Sequence, residues 1–248
     1  MRRKPSALVL VSMFLLACTQ PTTDKQELLV FAASSLTDAV TEIESSFERS
    51  NRDIDVLVSY AGSSALRGQI VEGAPAAVFA AASGPVMDQI VEAELNASTP
   101  KIFATNQLQI VVPAGNPGNV EGLQDLANPR LLVGLCAAGV PCGDSAREAL
   151  SRAGVEPSVD SFEPDVRALL TKVEAGELDV GIVYTTDVRA ASDGVTGIAL
   201  PAEFNVLLSY PIATLVDAPD VGAAQRFVDF VLSDAGQSVL RGYGFGPP

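Results

Sequence analysis

The 248-residue chain has no histidine and no tryptophan, only three cysteines and three methionines, and 16 basic residues against 30 acidic ones. Each shortage excludes something. Without histidine the commonest general base and the commonest metal ligand are gone, and a Ser-His-Asp triad cannot be assembled. A formal net charge of −14 argues against a nucleic-acid partner, because phosphate backbones demand clustered Lys and Arg. Three cysteines without histidine do not suggest a zinc site. A serine nucleophile at Ser35 or Ser63 would need an activating base within hydrogen-bond reach, and no Ser-x-x-Lys motif stands near either. The expectation is a protein that is not an enzyme and carries no cofactor.

What is present is apolar bulk and a leader. Hydrophobic residues make up 48% of the chain, enough for one large core or two smaller ones. "MRRKP" is a basic start, and Ala7 to Ala17 is an apolar run too short for a bilayer span of about 20 residues but suited to a signal peptide. The run ends in "LLAC", which resembles a bacterial lipobox. That resemblance implies removal of residues 1–17 and lipidation of Cys18; the alternative is an ordinary signal peptide with an incidental cysteine. Residues 18–27 read as a polar tether. Removing Arg2, Arg3 and Lys4 leaves 13 basic residues against 30 acidic, a balance of −17. Outside the cytoplasm, Cys136 and Cys142 in "CAAGVPC" are expected to form a disulfide rather than free thiols or a metal pair.

Strands alternate with helices along the rest. "ELLVFAA" is a continuous apolar run, as for a strand covered on both faces. Leu36, Ala39, Val40, Ile43 and Phe47 then fall on one helical face, and Ser35 with Asp38 resembles a capping box. "DIDVLVSYAG" followed by Ser63-Ser64 and Leu66, Ile70 and Val71 repeats the unit. Further strands are expected at "AAVFAAA", 106–115, 130–136, "LDVGIVY" and 206–216. Helices are expected at "VMDQIVEAE", "DSAREALSRAG", from about Pro164 to Gly176, at "TTDVRAA", and after 221. Alternation argues an α/β fold with mostly parallel sheets. The two long strands suggest a hinge, giving lobe one as 28–113 plus 207–248 and lobe two as 114–206, with a ligand between them.

Ser34-Ser35, Ser63-Ser64 and Cys142-Gly143-Asp144 share one arrangement: a strand end, small or polar residues, then a helix start. Val166 opens another helix, and Tyr184 ends a strand. Helix N-termini present unpartnered N–H groups and partial positive charge, so several converging would bind a compact oxyanion without Lys or Arg. Taken singly, the serines read equally well as N-caps, Val166 as core and Tyr184 as a packing aromatic.

Five stretches, "VFAASSLTDA", "GSSALRGQIVEGAPA", "NQLQIVVPAG", "DVRALLTKVEAGELDVGIVYTTD" and "FVLSDAGQSVLRGYGF", resemble the periplasmic molybdate-binding proteins of ABC transporters, over residues 28 to 246. The resemblance implies the two-lobed type II periplasmic-binding-protein fold and capture of molybdate, with tungstate, for an ABC permease. It carries ligand roles onto Ser35, Ser63 (with Ser64 as the other register), the backbone of Cys142 where the family often has Ala, Val166 and Tyr184, with no direct metal-ion ligand. It implies a cell-envelope location, here with a membrane anchor at Cys18, and a monomer. Ala77 and Ser83 stand where the family carries acidic residues. That departure keeps another small oxyanion, sulfate or phosphate, as the alternative ligand.

Overall fold

The computed structural model describes residues 25–191 and 193–248. The expected leader, Cys18 and most of the tether lie outside them. Strand β1 (Gln26–Ala33) passes through a 3-10 turn at Ser34–Leu36 into α1 (Thr37–Ser50); β2 (Ile54–Ala61) leads into α2 (Ser63–Val71), and β3 (Val78–Ala80) into α3 (Gly84–Glu92). The long β4 (Lys101–Pro113) is followed by β5 (Val133–Cys136), α4 (Pro141–Arg152), β6 (Val159–Glu163), α5 (Val166–Glu174), β7 (Val180–Tyr184), α6 (Thr185–Ala190) and β8 (Val195–Ala199). Strand β9 (Leu207–Thr214) and helices α7 (Val221–Leu232) and α8 (Asp234–Gly242) complete the described chain.

The strands form the order β2-β1-β3-β9-β4-β7-β5-β6, with β8 also on β4. Pairing is parallel among β2, β1 and β3 and among β6, β5 and β7. The two long strands differ: β9 runs antiparallel to β3, and β4 antiparallel to β9, β7 and β8. Strand β4 changes partners along its length. Residues from Lys101 to Gln107 pair with β9, and those from Leu108 onward pair with β7 and β8. One strand therefore belongs to both halves of the sheet, and the chain returns to the first half through β9.

The helices α1, α4, α5 and α7 form because each buries an apolar stripe. In α1 this is Ala39, Val40, Ile43 and Phe47. Phe47 packs edge-to-face on Phe227 and Phe230 of α7, a contact of the kind that costs about 3–5 kcal/mol when a buried Phe is cut to Ala. Several boundaries differ from expectation. Helix α4 starts at Pro141, since proline suits the first helical position. Helix α5 starts at Val166, because Asp165 rather than Pro164 caps it through the Arg167 and Ala168 amides. Strand β8 had no sequence signal: it is five residues long and contains Gly197.

Candidate functional site

Six segments, three from each half, converge at one point. Ser34 and Ser35 come from the end of β1, Gly62 and Ser63 from the start of α2, and Ala82 from the end of β3. The second half supplies Val140 to Cys142 at the start of α4, Asp165 and Val166 at the start of α5, and Tyr184 at the end of β7. They line a small cavity of about 10 Å³, about the room that one water-sized group needs. All five candidates, Ser35, Ser63, Cys142, Val166 and Tyr184, line it. Ser64 does not; its hydroxyl donates to the Gly139 carbonyl across the divide.

The lining has no Lys or Arg. Apart from the Asp165 carboxylate, which is engaged by the α5 amides, its polar side chains and helix starts offer donors. Helix α2 is capped by Gly62, which offers no side chain, and α4 by Val140, likewise without a capping bond. Their first amides lack intrahelical partners, and the macrodipoles place partial positive charge there. In α5 the Asp165 carboxylate takes the Arg167 and Ala168 amides and leaves that of Val166. Ser63 Oγ accepts from the Ala82 N–H at 3.0 Å, so its proton remains available. The Tyr184 hydroxyl is buried and has no hydrogen-bond partner among the described residues. Burial first, then the neighbouring Tyr210 and Asp187, pushes its pKa well above the usual phenol value. It stays a protonated donor at neutral pH.

The capping roles expected of the serines do not occur. Helix α1 is preceded by the 3-10 turn, its N-cap is Leu36 without a side-chain bond, and Asp38 is drawn away to Arg167. Ser35 Oγ instead shares a hydrogen bond with the Tyr210 hydroxyl at 3.0 Å. Neither Ser63 nor Ser64 caps α2, because Gly62 occupies that position.

Close contacts seam the halves around the cavity. A Cβ on Gly62 would stand 2.6 Å from the Pro164 carbonyl oxygen. Arg167 of α5 pairs with Asp38 of α1 and also lies 3.2 Å from the buried Asp187 carboxylate. Asp187 accepts the Tyr184 N–H at 3.1 Å; burial raises its pKa to about 7 despite Arg167. Cys136 and Cys142 are joined by a disulfide that ties the end of β5 to the start of α4. Gly143 follows because a side chain there would strike the Ala137 and Cys136 carbonyls at 2.2 and 2.5 Å.

Ala77 and Ser83 do not reach the cavity. Ala77 is buried in the core, and Ser83 caps α3 by accepting from Val86 N. Gly62, Asn106, Asp187 and Tyr210 had not been singled out from sequence. Asn106 lies in the middle of β4 among other polar residues, so its burial had no sequence signal.

The chain matches the family model for bacterial extracellular solute-binding proteins over residues 28–246. It is 37% identical over 228 residues to the molybdate-binding protein ModA of Mycobacterium tuberculosis, covering 92% of this chain and 87% of that protein. Its fold is similar to the periplasmic molybdate-binding protein of Azotobacter vinelandii, with a TM-score of 0.79 at 17% identity over 89% of this chain and 99% of that one. The sulfate-binding protein SubI of Mycobacterium tuberculosis gives 0.79 at 19% identity over 90% and 87%. The cavity between two half-sheets and the match across nearly the whole described length agree: the chain belongs to the bacterial extracellular solute-binding protein family.

Proposed function

We propose that this protein captures molybdate, and tungstate with it, outside the cytoplasm and delivers it to an ABC permease. The observation that carries the reading is the small cavity lined by Ser35, Ser63, Cys142, Val166 and Tyr184. It offers hydroxyl and backbone donors from several directions and no cation. A compact dianion with acceptors on every side fits that chemistry, because charge-assisted hydrogen bonds from fixed donors replace its hydration. Neutral donors also avoid the cost of burying an unpaired cation in the empty protein. The two halves act as lobes, with β4 and the return into β9 as the hinge. The ligand stabilises the closed arrangement by touching both, and the permease reads that arrangement. Cys18 anchors the protein to the membrane as a lipidated N-terminus, and it works as a monomer.

Calorimetric titration of the purified protein with molybdate, tungstate, sulfate and phosphate tests this. Tight binding of the first two with much weaker sulfate and phosphate is expected, since donors set for one oxygen spacing reject a smaller tetrahedron. Equal affinity for sulfate would overturn the molybdate assignment.

A further inference from the structure

Behind Ser35 lies a buried polar chain that no ligand contact requires. Asn106 sits on β4 one residue before Gln107, the last residue that pairs with β9. Its Nδ2 donates to Thr186 Oγ1 at 2.9 Å and to the Tyr210 hydroxyl at 3.3 Å. Its Oδ1 accepts from the Gln107 N–H and from Thr185 Oγ1, both at 2.9 Å. The amide orientation is fixed, because the Gln107 N–H can only donate. Both Nδ2 protons are therefore spent, one of them on Tyr210. The Tyr210 hydroxyl is fully buried and now holds an incoming proton, so its own must go to its remaining partner, Ser35 Oγ at 3.0 Å. The reverse direction would leave the Tyr210 proton without an acceptor in a buried site, a costly arrangement.

We infer that Asn106 and Tyr210 are positioning residues: they fix the polarity of the Ser35 hydroxyl, so that Ser35 accepts from behind and gives its proton to the cavity. Ser63 reaches the same state by a different route. A backbone amide, that of Ala82, occupies one of its lone pairs. Ser35 has no such amide and depends on the side-chain relay. A hydroxyl free to rotate would turn a lone pair toward an anion part of the time; one locked by the relay does not. The inference rests on the oxyanion reading of the cavity and adds the residues that orient one of its donors.

Two measurements test it. The first is a double-mutant cycle by molybdate titration on Tyr210→Phe, Ser35→Ala and the pair. Tyr210→Phe keeps the ring packed on Phe103, Tyr184 and Phe245 and removes only the relay. It is expected to weaken binding about tenfold, the scale of one hydrogen bond to a charged group. Added to Ser35→Ala it should cost almost nothing further. Unchanged affinity in Tyr210→Phe, or an equal loss with and without Ser35, would overturn the inference, and a merely structural tyrosine would lower the melting temperature without this coupling. The second measurement needs no ligand. In the isotope-labelled free protein, the Tyr210 hydroxyl proton should show a nuclear Overhauser contact to the Ser35 Cβ protons. A Ser35 hydroxyl proton directed at Tyr210 instead would sink the relay. If the wild type binds none of molybdate, tungstate and sulfate, the oxyanion reading fails, and this second result still decides the hydrogen-bond direction.

Discussion

Tyr184 separates a binding role from a stabilising one at the level of a single atom. Its ring belongs to the core and packs edge-on against Tyr210. Its hydroxyl is buried and unpartnered, which costs the empty protein free energy, because a desolvated donor without an acceptor loses its hydrogen bond to water. Natural cores rarely retain such a group, and the oxyanion proposed to bind here would be the acceptor that explains it. Tyr184→Phe should therefore leave the melting temperature unchanged or raise it, while weakening molybdate binding about tenfold or more. Paired thermal melts and titrations check this. A variant that loses stability and keeps its affinity would show that the hydroxyl serves the fold. Ser35 carries the same lesson differently. Its position before a helix resembles a cap, yet its hydroxyl faces Tyr210, so Ser35→Ala removes no helix cap.

Elements bring these atoms together, and here the sequence was informative to different degrees. Alternating apolar runs and helical stripes were enough to read the strand-helix units, because burial on a helix face or within a parallel sheet leaves a periodic trace. The antiparallel course of β9 and the change of partner within β4 leave no such trace; they depend on which strand lies beside which. Strand β8 escaped for a related reason, since five residues around Gly197 carry no period. The family resemblance placed the five cavity residues in the chain. Only the fold could add Gly62, whose necessity comes from the opposite half. Its backbone is ordinary, at φ −58 and ψ 135, so alanine is tolerated locally. The added Cβ would nonetheless stand 2.6 Å from the Pro164 carbonyl, backbone that cannot swing aside. Gly62→Ala should keep the fold, hold the halves apart and weaken molybdate binding, with a larger radius of gyration by solution scattering when molybdate is present. Gly68→Ala in the same helix meets nothing within 4 Å. It should instead stabilise by up to about 1 kcal/mol, the helix-propensity difference, without touching affinity. Equal loss of binding in both variants would place the effect in helix α2 rather than in the seam.

At the scale of the molecule the buried carboxylate of Asp187 links the site to pH. It holds the Tyr184 amide, lies beside Arg167, and through Arg167 connects to Asp38 in the other half. Burial drives its pKa up to about 7 from 3.8; Arg167 and the Tyr184 amide oppose that rise, and Asp38 and Asp165 add to it. The native state therefore holds the Asp187 proton more tightly than the unfolded chain does. Its contribution to stability is fully present below about pH 4 and is lost as pH rises through about 7, with a limiting slope of about 1.4 kcal/mol per pH unit. Other carboxylates titrate in the same range, so the wild type alone cannot report this. Asp187→Asn removes the ionisation and keeps an oxygen for the Tyr184 amide. The stability of the wild type minus that of Asp187→Asn, from urea melts at several pH values, should fall between pH 4 and 7 and level off above. A difference that stays flat over that range would mean that Arg167 offsets burial and keeps the carboxylate ionised in the folded protein. The Arg167 bridge between Asp187 and Asp38 would then be a permanent ion triad holding the halves together, with no dependence on neutral pH.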